Sequence, residues 1–128
     1  MSFKPQNVLA WSEIPVTDLD TSADFYRTVF NWEITVSSDM GPNPTGMIST
    51  AGPDGVAGHL YPGKPAQDGE GPTLHFLVPD TIEDSMARLV KAGGKEISPP
   101  IPFPGGRFAY ATDLDGNSLG LYQPPSST

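Results

Sequence analysis

The sequence predicts an α+β protein made of two tandem βαβββ modules, and three observations carry the prediction. Hydrophobic periodicity runs strand, helix, strand, strand, strand, and then repeats that order. The two runs are related by a nearly constant offset. Asp18 pairs with Asp80 and Asn31 with Gly93 at 62 residues, while "DGVAGHLYP" from Asp54 pairs with "DGNSLGLYQP" from Asp115 at 61. Between the runs lies the densest proline and glycine cluster, "YPGKPAQDGEGP" from Tyr61 to Pro72, which reads as a linker. A chain of 128 residues fits one domain, with module one at about 8–61, the linker at 62–72 and module two at about 73–124.

Module one opens with a strand from Val8 to Val16 and continues into a helix from Thr21 to Phe30. Asp18, Asp20 or Thr21 can accept hydrogen bonds from the orphan amides at the helix start, and Asn31 tolerates the left-handed backbone that ends it. Strands near Trp32 to Ser37, Gly46 to Thr50 and Gly55 to Leu60 complete the module. Module two follows with a strand from Thr73 to Val78 and a helix from Ile82 to Ala92, which starts at Asp80 or Thr81 and stops at Gly93. Its strands lie near Lys95 to Ser98, Arg107 to Ala111 and Ser118 to Tyr122, and the proline-rich stretch "SPPIPFPGG" reads as a connector or as a lip over a cavity. Leu19, Ala23, Tyr26, Val29 and Phe30 form one apolar stripe and Ile82, Met86, Leu89 and Val90 the other, so each helix covers one face of a sheet.

Composition narrows the function. Seven basic and fifteen acidic side chains give a net charge of -8, which repels phosphate backbones and anionic membranes, so neither nucleic acid nor membrane is expected as a partner. The same charge suits a cationic ligand or simple solubility. Without cysteine there are no disulfides, thiolate metal sites or thiol nucleophiles, and the expected compartment is the cytoplasm. "MSFKPQNVLAW" lacks the apolar core of an export signal, and no membrane-spanning run follows it. The glycines of "FPGGR" are not a nucleotide loop, because no lysine-serine pair or helix comes after them.

"IPVTDLDTSADFYRTVFNWEI" and "DLDGNSLGLYQP" resemble the first strand and helix and the final hairpin of the vicinal oxygen chelate superfamily, with Asn31 where a glycine is usual. That superfamily includes glyoxalase I, bleomycin-resistance proteins, fosfomycin-resistance enzymes and extradiol dioxygenases. The resemblance implies the glyoxalase/bleomycin resistance/dioxygenase fold, in which curled sheets of two modules enclose a cavity, and it implies a homodimer. It also implies metal-ligand positions on the first and last strand of each module, which fall here on Trp11, His59, Thr73 and Gly120. Only His59 of these can ligate, and one imidazole does not hold a catalytic ion.

Glu13 stands in the first strand two residues beyond Trp11, and His75 two beyond Thr73, so each shares its neighbour's face. Together with His59 they offer two imidazoles and one carboxylate, a set that suits zinc or ferrous ion, with manganese or nickel as further candidates. The alternative makes Glu13 a cavity carboxylate hydrogen-bonded to Tyr61 or Tyr122. Trp11, Tyr61, Thr73 and Tyr122 are then expected to line a small-molecule site, and Arg107 to grip a ligand carboxylate or phosphate through its fork of donors. Two functions follow: a metal-free small-molecule binder of the bleomycin-resistance kind, or a divalent-metal-dependent lyase, isomerase or dioxygenase acting on vicinal oxygens.

Overall fold

A computed structural model of the chain describes residues 2–38, 43–67 and 70–125. Positions 68 and 69 of the expected linker lie outside the described residues. Module one runs β1 (Ser12–Val16), α1 (Leu19–Phe30), β2 (Ile34–Ser37), β3 (Thr45–Ile48) and β4 (Gly58–Pro62). Its sheet has the order β1-β4-β3-β2, with β1 and β4 parallel. Module two runs β5 (Leu74–Leu77), α2 (Ile82–Lys91), β6 (Lys95–Glu96), β7 (Ile101–Phe103), β8 (Gly106–Thr112) and β9 (Ser118–Gln123).

The second sheet repeats the first as β5-β9-β8-β6, again with its first and last strands parallel. The expected connector before Gly106 contains a strand, β7. Both β6 and β7 pair with β8, through Lys95 and Thr112 and through Ile101 and Phe108, so together they are one edge strand interrupted near Pro99 and Pro100. Proline has no amide hydrogen to donate and is tolerated at a sheet edge. The repeat persists in the ladders: Glu13 stands opposite His59 in one and His75 opposite Gly120 in the other, which restates the offsets of 62 and 61.

Asp18 caps α1 by accepting from the Thr21 amide, and Thr81 caps α2 by accepting from the Asp84 amide. Asn31 closes α1 at φ 61° and Gly93 follows α2 at φ 107°, the left-handed conformation foreseen for both. Ile14 and Val16 of β1 and Leu60 of β4 bury against α1, while Ile82, Met86 and Leu89 bury against Ala109, Ala111, Leu119 and Leu121. Val90, expected in the core, is 51% exposed. Successive helical residues point about 100° apart, so with Leu89 turned to the sheet its neighbour faces outward. Among the described residues no helix is long and apolar enough to cross a membrane.

The two helices also meet each other. Arg88 of α2 donates to the Val29 carbonyl at 3.0 and 3.2 Å, near the end of α1, and to Asp80 at 2.7 and 3.1 Å. A cation at that end answers the partial negative charge of the last carbonyls. Asp80 is held below the usual carboxylate range, chiefly by its hydrogen bonds from Arg88.

Candidate functional site

Because Ile14 and Val16 turn toward the helix, strand alternation sends Glu13 and Pro15 to the opposite face of the sheet. Register then places His59 beside Glu13 and Tyr61 beside Pro15. His59 Nε2 lies 3.2 Å from Glu13 Oε1, and Trp11 Nε1 donates to His59 Nδ1 at 2.9 Å. An indole N–H can only donate, so Nδ1 must present its lone pair and Nε2 carries the hydrogen shared with Glu13. Glu13 therefore pairs with an imidazole rather than with either tyrosine; the Tyr122 hydroxyl donates to the Gly105 carbonyl at 2.8 Å.

In module two His75 lies over Gly120, where a Cβ would overlap the imidazole. Glycine at this implied ligand position thus makes room for His75. The His75 ring also packs edge-on against Phe108 at 5.7 Å and Tyr110 at 5.8 Å between centroids. Thr73 shares a hydrogen bond with Ser118 across the sheet.

Arg107 spends its fork within the protein. It donates to both Glu83 carboxylate oxygens, at 2.8 and 2.7 Å, and to Gln123 Oε1 at 2.7 Å. Gln123 in turn accepts from the Ile82 amide, so this cluster fastens β8 and β9 to the start of α2. Hydrogen bonds from Arg107 pull the Glu83 carboxyl from an ordinary 4.5 down to about 2. The arginine expected to grip a ligand through its fork of donors uses that fork, in the fold, to tie strand to helix.

A cavity of about 620 Å³ opens where module one meets β5. Leu9, Trp11 and Ser12 bound one side, Ile48, Ser49, Thr50, Val56 and Ala57 of the β3–β4 hairpin a second, and Phe30 and Trp32 at the end of α1 a third. The remaining wall is the segment from Thr73 to Pro79. Residues from both faces of β5 contribute, which puts the strand's unpaired edge against the space. Phe30, Trp32 and Phe76 pack together beneath it at centroid separations of 4.9, 5.4 and 4.8 Å.

Of the side chains expected at a ligand, Trp11, Thr73 and His75 line this cavity. Glu13, His59, Tyr61, Arg107 and Tyr122 are not among its lining residues. In the sequence Phe30 reads as core, and neither Trp32, Phe76 nor the hairpin stands out as cavity wall. The available signal was a break in the repeat: under the 61-residue offset Val56 takes the place of Asn117, an apolar side chain where the second copy has an amide.

The counterpart of this region is filled. The turn between β8 and β9 docks on module one: Asn117 donates to the Pro15 carbonyl at 2.8 Å, the Thr17 amide donates to Asp115 at 3.3 Å and the Tyr26 hydroxyl to Asp113 at 2.8 Å. Asp113 also accepts from the Asp115 and Asn117 amides and from the Asn117 side chain, each at 2.9 Å. Burial, and then the Asp113 carboxylate, hold the Tyr26 pKa well above its ordinary 10.0, so the phenol remains a donor.

The donors present do not make a metal centre as placed. Glu13 and His59 face each other, His75 belongs to the other sheet, and among the described residues no three His, Asp or Glu side chains stand close enough to share an ion. Both His59 nitrogens are already engaged, by Trp11 and by Glu13.

Comparison with known proteins agrees with this architecture. The chain is 32% identical over 131 aligned residues to the anthracycline biosynthesis protein DnrV of Streptomyces peucetius, covering 89% of this chain and 46% of that protein. It is 26% identical to the putative glyoxylase CFP32 of Mycobacterium bovis, covering 88% of this chain and 44% of that protein. The chain thus spans about half the length of these curated relatives. Among solved structures, a mutant of the fosfomycin resistance protein FosX from Listeria monocytogenes, complexed with Mn(II) and dihydroxypropylphosphonic acid, superimposes with a TM-score of 0.70 at 20% identity, over 95% of each chain. A glyoxalase-related enzyme from Fulvimarina pelagi does so with a TM-score of 0.68 at 22% identity, over 94% of this chain and 90% of that one. The family model described as Glyoxalase/Bleomycin resistance protein/Dioxygenase superfamily matches residues 8–121. With this match and a fold of two βαβββ modules, the chain belongs to that superfamily, the vicinal oxygen chelate proteins.

Proposed function

We propose that the protein binds a small molecule in the cavity between its two modules and does so without a metal ion. The observation that supports the reading is the 620 Å³ space walled by the β3–β4 hairpin, both tryptophans and β5, within the usual size of a small-molecule site. Trp11 and Thr73 contact the ligand in this reading; Glu13 holds His59 instead. Similarity to a protein named for anthracycline biosynthesis puts oxygenated polycyclic compounds among the first ligands to try. The same proposal includes a cytoplasmic homodimer: the chain has no cysteine to oxidise, and Leu9, Trp11 and Leu77 stand exposed at the cavity rim for a second copy to cover.

Tryptophan fluorescence titrated with a panel of polycyclic compounds tests binding, because both tryptophans of the chain lie in the wall. Saturable quenching supports the proposal, and a flat response across the panel counts against it. Sedimentation velocity tests the dimer.

The second reading is a divalent-metal enzyme, favoured by the Mn(II) complex of FosX and by the Glu13–His59 pair. A catalytic site takes about three protein ligands, so His75 or another donor must join the pair. Titration with zinc, iron(II), manganese and nickel decides: stoichiometric uptake that vanishes in His59→Ala and His75→Ala would replace the metal-free reading.

A further inference from the structure

The two module junctions occupy corresponding places but are chemically opposite. At one, the β8–β9 turn places Asn117 on the Pro15 carbonyl and Asp115 on Thr17. At the other, the offsets of 61 and 62 put Val56 where Asn117 stands, Leu77 where Pro15 stands and Pro79 where Thr17 stands. These apolar residues do not close on one another. Val56 is 44% and Leu77 61% exposed, and the cavity separates the segments that carry them.

From this arrangement we infer that the occupant is an uncharged, planar polycyclic molecule carrying one hydroxyl or carbonyl oxygen, with its rings between Trp11 and the Phe30–Trp32–Phe76 cluster and its oxygen on His75. The inference rests on the small-molecule proposal above and names its ligand class. Among the described residues, no Asp, Glu, Lys or Arg lines the cavity, so a charged group would lose water there without a partner. The charged side chains of the described residues therefore lie outside this space, and among them the cationic ligand that the composition suits has no counter-ion within it.

Aromatic rings line the space from both modules and favour a flat apolar body. Three of the lining hydroxyls have partners inside the protein, Thr73 with Ser118, Ser12 with the Ala57 carbonyl and Thr50 with the Gly52 carbonyl, while Ser49 is held through its backbone amide alone. His75 is held by ring contacts to Phe108 and Tyr110, and among the described residues its nitrogens make no hydrogen bond or ion pair. On the β5 wall it is the group free to orient a ligand oxygen, with the Ser49 hydroxyl and the Trp32 indole N–H on the module-one side.

Four probes of one shape separate these claims: anthracenemethanol, anthracene, anthracenecarboxylate and the cationic (methylaminomethyl)anthracene, each followed by energy transfer from the tryptophans. The alcohol should bind at least about tenfold more tightly than either charged probe, the scale set by one unmade hydrogen bond or more. His75→Phe keeps a ring over Gly120 and should reduce the alcohol about tenfold, to the level of anthracene, leaving anthracene itself unchanged. Val56→Phe should weaken all four.

A charged probe binding as tightly as the alcohol overturns the ligand class, and so does a His75→Phe variant that treats alcohol and hydrocarbon as wild type does. In both cases the proposed binding function still stands. If no probe binds, or if Val56→Phe changes none of them, the cavity is not the site and the proposed function fails with the ligand class.

Discussion

The two junctions between the modules are built from corresponding segments, yet one is a sealed polar contact and the other an apolar space. Where Asp113, Asp115 and Asn117 meet β1 and α1, every hydrogen bond joins elements from opposite ends of the chain and clamps the modules together. Where the β3–β4 hairpin faces β5, the substitution of Val56 for the amide leaves nothing to bridge the gap. A duplicated fold has thus used one copy of a contact for cohesion and left the other open as a cavity.

The contrast can be broken most severely at Asp113. Asp113→Ala strips the acceptor from the Tyr26 hydroxyl, two amides and the Asn117 side chain, and should cost about 3 kcal/mol because buried donors are left unpaired, measured as a lower urea midpoint with unchanged slope. Asn117→Val copies module one's residue into the sealed junction. It should cost about 1–2 kcal/mol by leaving the Pro15 carbonyl without its donor, read from the same unfolding curves.

The reverse exchange sharpens the comparison. Val56→Asn should change stability by no more than about 0.5 kcal/mol, since the facing segment is too distant to be bridged, whereas Val56→Phe should raise it by about 0.5–1 kcal/mol through cavity filling, visible as a higher Tm.

The smallest effect is expected at the Arg107–Glu83 tie, away from both junctions. Glu83 titrates near 2 when folded against an ordinary 4.5, so the unfolded chain binds more protons between those values, and stability falls as pH drops through that window. Arg107→Ala returns Glu83 toward 4.5 and should flatten the acid limb of stability against pH: the variant is slightly less stable than wild type near neutrality and the two curves converge as pH falls toward 2. Asp80, lowered by Arg88, loses its share on the same acid side and should continue to do so in the Arg107 variant.

The fold could be read closely from the chain because its signals are local or periodic. Caps at Asp18 and Thr81, stops at Asn31 and Gly93, alternation along β1 and the offset between modules all act within a few residues or repeat at a fixed interval. The errors have the same origin. Val90 follows Leu89 in an apolar pattern that does not say which of two neighbours faces the sheet, and β7 is strand only because β8 offers an edge to prolines.

The faces of the candidate site were legible, but its contacts were not. The shared face of Trp11 and Glu13 and that of Thr73 and His75 follow from strand geometry, but the partners on those faces do not. Arg107 finds Glu83 24 residues away, His59 takes Trp11 from 48 residues away, and Gly120 yields its space to His75 across a strand pair. Hydrophobicity marked Phe30 for burial without saying that it would border a cavity, because transfer from water depends on area and not on what lies opposite.

The amino-acid sequence alone therefore determined the duplicated βαβββ architecture, the helix limits and the residues able to donate or ligate, since these depend on backbone preference and period. Only the tertiary structure decided which of those residues meet. Contacts between distant segments depend on how two sheets and two helices pack, and corresponding surfaces join where Asn117 meets Pro15 but stand apart where Val56, Leu77 and Pro79 take the equivalent places.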